Sequence, residues 1–476
     1  MYFLSRPRRF GKSLLVTTLK AIFEGKRELF EGLAIADSDY EWQEHPVIHI
    51  DMSRGPISSA SDLEELLISQ VDEIAEIYSC ELNNSGSARR FDELIRKLSE
   101  RNRVAILIDE YDKPILDNIS RPEARQATKD VLAGFYGVIK PLDAHLRFVL
   151  LTGVTKFSKV SVFSKLNNLD DLTMHSRYAD MLGYTEDELD IFFGDRLAAM
   201  TEQEGCTPDD LRQKIRHWYN GYRFSERDIA VYNPVSTMLL LDRQMFSNYW
   251  FETGTPTFLL DVIQSLDYDV RDVEALEVQS IVFSTFDVDN LNVEPLLVQT
   301  GYLTIKDYDP ETMLYTLGYP NFEVKNAFLQ YLVDRFSSVS RILAAGHLNR
   351  MIEALKADDL EAFFVTLRAF FATIDYDLQI ENEKYYQTIF YLVFTLIGLR
   401  IQAEVKTNIG RADVVIETED AVYIFEFKLY DSKEEALQQI KDMQYAQKYQ
   451  GGDRTIHMVG VEFRDRNIGD WVTETV

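Results

Sequence analysis

The stretch "RVAILIDEYDKPI", residues 103–115, constrains the fold more than any other. Val104 to Ile108 run without a polar interruption and end in Asp109 and Glu110. A strand with one wet face would alternate. A continuous apolar run fits a parallel strand covered by helices on both faces. In open α/β sheets, ligands bind in the crevice beyond the carboxyl ends of such strands. Two carboxylates there suit chemistry: Asp109 to support a Mg2+ ion, Glu110 to orient or deprotonate an attacking water. The plainer alternative is a buried strand followed by an acidic helix cap.

The start of the chain supplies a second element. "YFLSRPRRFGKSLLVTTLK", residues 2–20, reads as a short strand, a basic turn, Gly11-Lys12-Ser13 and a helix. Backbone N–H groups at a helix start bind anions. In a phosphate-binding loop the lysine meets the terminal phosphates and the hydroxyl meets Mg2+. Arg9, Phe10, Gly11, Lys12, Ser13 and Leu14 are therefore expected around a nucleotide, with Ser13 and Asp109 on the metal. The usual loop has its first glycine where this chain has Arg6, which affects loop shape rather than ligands. Arg6, Arg8 and Arg9 could neutralise phosphates, bind nucleic acid or an acidic neighbour, or form a solvated basic turn.

"LRFVLLTGVTKFSK", residues 146–159, is another buried strand, and "HPVIHIDMS", residues 45–53, a further one. The first of these ends in Thr152-Gly153, so Thr152 or Lys156 could touch a γ-phosphate or the attacking water. Strands separated by helical segments predict a parallel α/β sheet. These motifs in this order argue against a chance match of Gly-Lys-Ser. Arg177 reads as an arginine finger or, preferably, a surface residue.

The chain's 476 residues allow two to four domains, and 46% hydrophobic content allows large cores. A formal net charge of −28 excludes a protein coated with basic residues for nucleic acid, though not a local basic groove. Cys80 and Cys206 lack paired spacing, so neither a disulfide framework nor a zinc site is expected. The apolar run at 388–399 is too short to span a membrane and reads as a buried helix. No leader precedes the basic turn, so the expected compartment is the cytoplasm. No internal repeat or low-complexity tract is visible.

Beyond residue 178 the pattern changes. Thr185 with Glu188 forms a capping box ahead of a helical segment. "VQTGYLTIKDYDPETMLYTLGYP" carries two alternating runs around an Asp-Pro turn, a hairpin signal. A helical lid followed by a winged-helix-like module fits. Such a module can bind DNA or pack on the preceding domain and relay its state. "WYNGYRF" and "VYNPVS" read mostly as core and turn anchors. Residues 329–372 read as amphipathic connecting helices.

Near the carboxyl end, "ADVVIET" and "AVYIFEFKL" are strands joined by an acidic turn. Glu426 and Lys428 lie two apart and so share a strand face, and a hairpin-like pairing brings Asp413 beside Glu426. Two carboxylates can hold Mg2+ while a lysine positions or activates water, as phosphodiester hydrolysis requires. The alternative is a pair of amphipathic surface strands. Histidine, zinc and Ser/Cys nucleophile chemistry find no support in the spacing.

"RPRRFGKSLL", "ILIDEYDKPI" and "LTGVTKFSKVSVFSKLNNLDDL", with "WYNGYRF", "VYNPVSTMLLL", "YWFETGTPTFLL", "LLVQTGYLTI" and "LGYPNFEVKNAF", resemble the AAA-ATPase-like family of bacterial proteins. Arginines in place of the first loop glycine are usual there. Members commonly end in a PD-(D/E)XK nuclease-like domain, and Asp413, Glu426 and Lys428 fall on its motif positions. Glu383 matches an acidic residue on the preceding helix, and Gln439 a polar residue on the following one. Members usually carry a few dozen residues ahead of the first strand, where an adenine contact could arise, whereas here Met1 opens it. The resemblance implies a P-loop NTPase parallel sheet at 1–178, a helical lid and winged-helix-like region at 179–330, a helical connector at 331–372 and a restriction-endonuclease-like α/β domain at 373–476. It implies ATP and Mg2+ as ligands, DNA or RNA as a partner, and no membrane. Two functions compete: an ATPase coupled to a Mg2+-dependent nuclease, or a nucleotide-dependent switch that binds a partner through a non-cleaving nuclease fold.

Overall fold

Five strands form the first sheet: β1 (Tyr2–Ser5), β2 (Val47–Asp51), β3 (Val104–Asp109), β4 (Leu146–Gly153) and β5 (Asp170–Asp171). Their order is β2-β3-β4-β1-β5 and every pairing is parallel. All of β3 is buried, as its uninterrupted apolar run requires. The register sets Asp51 beside Asp109 and Ser5 beside Gly153, so the carboxyl ends share one edge. The computed structural model describes all residues except 157–167, 254–256, 267, 274, 285–291, 338, 375–382, 402–403, 407–412, 419, 430, 451–453 and 465–466.

The chain forms two compact units. The first joins Met1–Ile263 and Val273–Val324; the second joins Gln264–Asp272 and Lys325–Val476. In the first unit, the helix Glu186–Glu204 starts at the Thr185–Glu188 capping box, with both reciprocal bonds made. A small sheet follows, of β6 (Leu276–Gln279), β7 (Thr304–Asp309) and β8 (Leu314–Gly318) in the order β6-β8-β7. β7 and β8 are the antiparallel hairpin around Asp309-Pro310, and the helix Val293–Thr300 precedes them. This is a winged-helix-like arrangement.

The second unit centres on a mixed sheet: β9 (Glu404–Lys406), β10 (Val414–Glu417), β11 (Ala421–Leu429), β12 (Thr455–Arg464) and β13 (Asn467–Thr475). Its order is β13-β12-β11-β10-β9, with β11 and β12 parallel and the other neighbours antiparallel. The helices Glu383–Ile401 and Lys433–Asp442 complete an αβββαβ core. β13 adds an edge beyond this core, on which only Ile468 is buried, too little apolar content to signal a strand in sequence. The helix Leu360–Ala372 is not a mere connector. Phe364 stacks on Trp471 with centroids 4.8 Å apart, and Phe363 packs 5.8 Å from Phe425, so this helix closes the sheet's core. The apolar run at 388–399 lies in a helix whose residues Ile389 to Phe394 are buried. Among the described residues no helix is long and apolar enough to cross a membrane.

Candidate functional site

The loop between β1 and the helix Lys12–Phe23 turns on two left-handed residues, Arg9 at φ 70° and Gly11 at φ 77°. A Cβ at Gly11 would meet nothing within 4 Å, so the requirement is conformational rather than steric. Lys12 is 7% exposed, and its Nζ donates to the carbonyls of Arg6 at 2.9 Å and Pro7 at 3.0 Å. Burial pulls its pKa down to about 8, against the opposing pull of Asp112, Glu110 and Asp109. Ser13 and Leu14 are exposed at the helix start.

Arg6, at the position of the usual first glycine, is neither solvated nor a phosphate ligand. It is 1% exposed. Its guanidinium donates to Ser5 O at 3.0 Å, Thr173 O at 2.9 Å, Tyr178 O at 2.8 Å and Met181 O at 3.3 Å, and stacks 4.1 Å over the Phe224 ring. Its planar fork holds the loop against the segment that leads to the lid. Arg8 is exposed and Arg9 half-buried, so the basic surface of the turn is theirs.

Phe10 departs from the expected nucleotide contact. It is fully buried, edge-on to Tyr222 at 4.8 Å and to Phe224 at 5.3 Å. Its ring anchors the loop from behind. The other aromatic motifs converge there too. Trp250 Nε1 donates to Arg8 O at 3.2 Å, and a Cβ on Gly301 would lie 2.5 Å from Pro7 Cβ. Gln299 Oε1 accepts from Lys156 N–H at 2.9 Å. The winged-helix-like module therefore packs on the loop and on the exit of β4.

Asp109 is 4% exposed, and among the described residues its carboxylate accepts two bonds, both on Oδ1: from Thr152 Oγ1 at 2.5 Å and from Glu110 N–H at 3.0 Å. Thr152 is fully buried, so its hydroxyl serves Asp109 and does not face a ligand. Lys156 pairs with Asp171. Glu110 is half-buried at φ 52°; burial, then the neighbouring Asp109, raises its pKa, while Lys12 opposes. Asp51, not singled out from sequence, ends β2 as Asp109 ends β3, and its charge also acts on Glu110. The signal was present: "VIHID" ends in a carboxylate as "VAILID" does. Arg177 is exposed.

The second cluster joins Asp413, just ahead of β10, to Glu426 and Lys428 of β11. Glu426 is 3% exposed; its Oε2 accepts from Asp413 N–H at 3.3 Å and its Oε1 from Gln439 Nε2 at 2.5 Å. Asp413 Oδ2 accepts from Phe427 N–H at 2.8 Å. Lys428 Nζ donates to Gln439 Oε1 at 2.5 Å and lies 3.6 Å from Glu426 Oε1. The helix Lys433–Asp442, opened by the Ser432–Glu435 capping box, carries Gln439 into place. Burial, then the Asp413 charge, pushes the Glu426 carboxyl up to about 7. The structure thus brings Asp413, Glu426, Lys428 and Gln439 together. Glu383 begins the helix Glu383–Ile401, and its side chain lies outside the described residues. Among the described residues no three His, Cys, Asp or Glu side chains are grouped to hold a metal.

A family model described as "Predicted AAA-ATPase" matches residues 1–163, spanning Gly11 to Thr155. One described as "PD-(D/E)XK nuclease superfamily" matches residues 381–471, spanning the second cluster. The chain is similar to an "Uncharacterized protein in vnfD 5'region" of Azotobacter chroococcum mcd 1, with 41% identity over 497 aligned positions that cover 100% of this chain and 92% of that protein.

Proposed function

Because the chain belongs to the AAA-ATPase-like family and carries a PD-(D/E)XK nuclease superfamily domain, we propose that it is an ATPase coupled to a Mg2+-dependent nuclease. At the first site Lys12 exchanges the Arg6 and Pro7 carbonyls for the β- and γ-phosphates, and the N–H groups at the helix start add to that cradle. Thr152 fixes Asp109 with Oδ2 left for a cation, and the exposed Ser13 hydroxyl can supply a second ligand. Glu110, with its raised pKa, takes the proton of the attacking water.

The observation that carries the nuclease reading is the meeting of Asp413, just ahead of β10, and Gln439, on the following helix, with Glu426 and Lys428 of β11. The residues fit Mg2+. Glu426 is buried beside a second carboxylate, and a cation between them would relieve both burial and repulsion. Mg2+ keeps waters and needs only one or two carboxylates plus substrate phosphate oxygens, so the pair suffices. Bound there, Mg2+ would polarise the scissile phosphate. Gln439 holds Lys428 and Glu426 in register, and Lys428 positions the attacking water.

A second reading, a nucleotide-dependent switch with a non-cleaving nuclease fold, draws on the −28 charge and on Asp307, Asp309 and Glu311, which make the hairpin acidic and unsuited to a DNA backbone. The test is cleavage of single- and double-stranded DNA and RNA with Mg2+ or Mn2+, with and without ATP. Cleavage dependent on Glu426 supports the nuclease; ATP-dependent partner binding without cleavage supports the switch.

A further inference from the structure

Asp112 begins where the acid pair ends. It is 1% exposed, and one oxygen, Oδ2, accepts three bonds: from Val154 N–H at 3.0 Å, Thr155 N–H at 2.6 Å and Thr155 Oγ1 at 2.7 Å. Tyr111, fully buried, donates its N–H to Thr152 O at 3.0 Å and its hydroxyl to Thr155 O at 2.8 Å. All three carboxylates of "DEYD" act on Lys12, and Tyr111 and Asp112 are in addition fastened to the exit of β4. The fastening is close: a Cβ on Gly153 would lie 2.5 Å from Asp112 Oδ1 and 2.7 Å from the Tyr111 ring. Just ahead of the fastened Tyr111 and Asp112, Glu110 takes φ 52°, a conformation that a non-glycine residue keeps where its surroundings over-determine it.

We propose that Asp112 is a positioning residue for ATP hydrolysis: its bonds to Val154 and Thr155 hold Glu110 left-handed and beside the nucleotide loop. The proposal rests on the ATPase reading. Asp112 cannot itself be the proton acceptor, because it is buried and its bonded oxygen already serves three donors. It acts through Glu110, and through the segment that also carries Thr152, the hydroxyl on Asp109. One clamp thus ties the base and the metal-side carboxylate to the same strand end.

The test compares ATP affinity, KM and kcat for the full chain and three variants. Asp112→Ala should lower kcat about 100-fold, the scale of a misplaced catalytic group, with ATP affinity within about threefold of wild type. Asp112→Asn keeps an oxygen that can accept from the same three donors and should recover most of the rate. Thr155→Val, lacking one donor, should fall between. Equal damage from Ala and Asn, or parallel loss of affinity and rate, would overturn the proposal. If Asp112→Ala fails to fold, Thr155→Val decides, and a wild-type kcat there overturns it. A wild-type protein that binds no ATP would instead overturn the ATPase reading on which this stands.

Discussion

Asp413 and Glu426 are tied across neighbouring strands. Glu426 Oε2 accepts from the Asp413 N–H at 3.3 Å, and Asp413 Oδ2 accepts from the N–H of Phe427, the residue after Glu426, at 2.8 Å. Burial of Glu426, and then the neighbouring Asp413 charge, pushes the Glu426 carboxyl up to about 7.

That shift fixes the sign of a pH dependence. Metal binding needs the carboxylate, so below pH 7 each bound ion releases one proton and Mn2+ affinity should rise about tenfold per pH unit, flattening above 7. Stability without metal runs the other way. The folded state holds the Glu426 proton above the ordinary carboxylate range, so its contribution is present at low pH and lost as pH rises through about 7. Thermal melts between pH 5 and pH 8, with and without Mg2+, check both signs: the metal should stabilise only toward the alkaline end.

At the amino-terminal site, Lys12→Ala should abolish ATP binding, since Lys12 is the buried cation bonded inside the loop. Glu110→Gln should keep binding and lose turnover by ~10²–10⁴-fold, the usual share of a positioned proton acceptor. Isothermal titration and steady-state hydrolysis separate the two variants.

Arg6→Gly would restore the more usual loop glycine, and the expected outcome is harm. Four bonds to buried or part-buried carbonyls and a stack on Phe224 disappear together. Unsatisfied carbonyls of that kind cost ~1–3 kcal/mol each, so chemical denaturation should show a loss of about 3 kcal/mol or more in the first unit.

Gly301→Ala tests whether the winged-helix-like module supports the loop. Gly301 stands at φ 88°, and an added Cβ would lie 2.5 Å from Pro7. The strain of a left-handed alanine is about 1–2 kcal/mol before any clash. ATP affinity should fall by about tenfold, equivalent to ~1.4 kcal/mol, as Pro7 is displaced. Unchanged affinity would separate the module from the site.

Much of this was legible in the sequence because β3, and β4 from Val149 onward, are buried and so appear as apolar runs. Glu426 and Lys428 were legible through the two-residue period of β11. Arg6, Phe10 and Thr152 were not. A buried arginine, a buried phenylalanine and a threonine bonded to Asp109 look in sequence like ligand-facing residues, and only tertiary partners such as Phe224, Tyr222 and Asp109 turn them inward. Asp112 escaped because its role depends on Thr155, which reaches it only through the pairing of β3 with β4. β13 escaped because an edge strand with one buried residue carries almost no hydrophobic signal.

The most direct test of the central claim is Mn2+ calorimetry beside a cleavage assay on Asp413→Ala and Lys428→Ala. Lys428 bonds to Gln439 and repels a cation, so it should serve the water and not the metal. Lys428→Ala is predicted to bind Mn2+ at least as tightly as wild type and to lose cleavage. Asp413→Ala should lose both. If Asp413→Ala binds Mn2+ like wild type, the two carboxylates do not form a metal site, and the account of this protein as an ATPase coupled to a nuclease is contradicted.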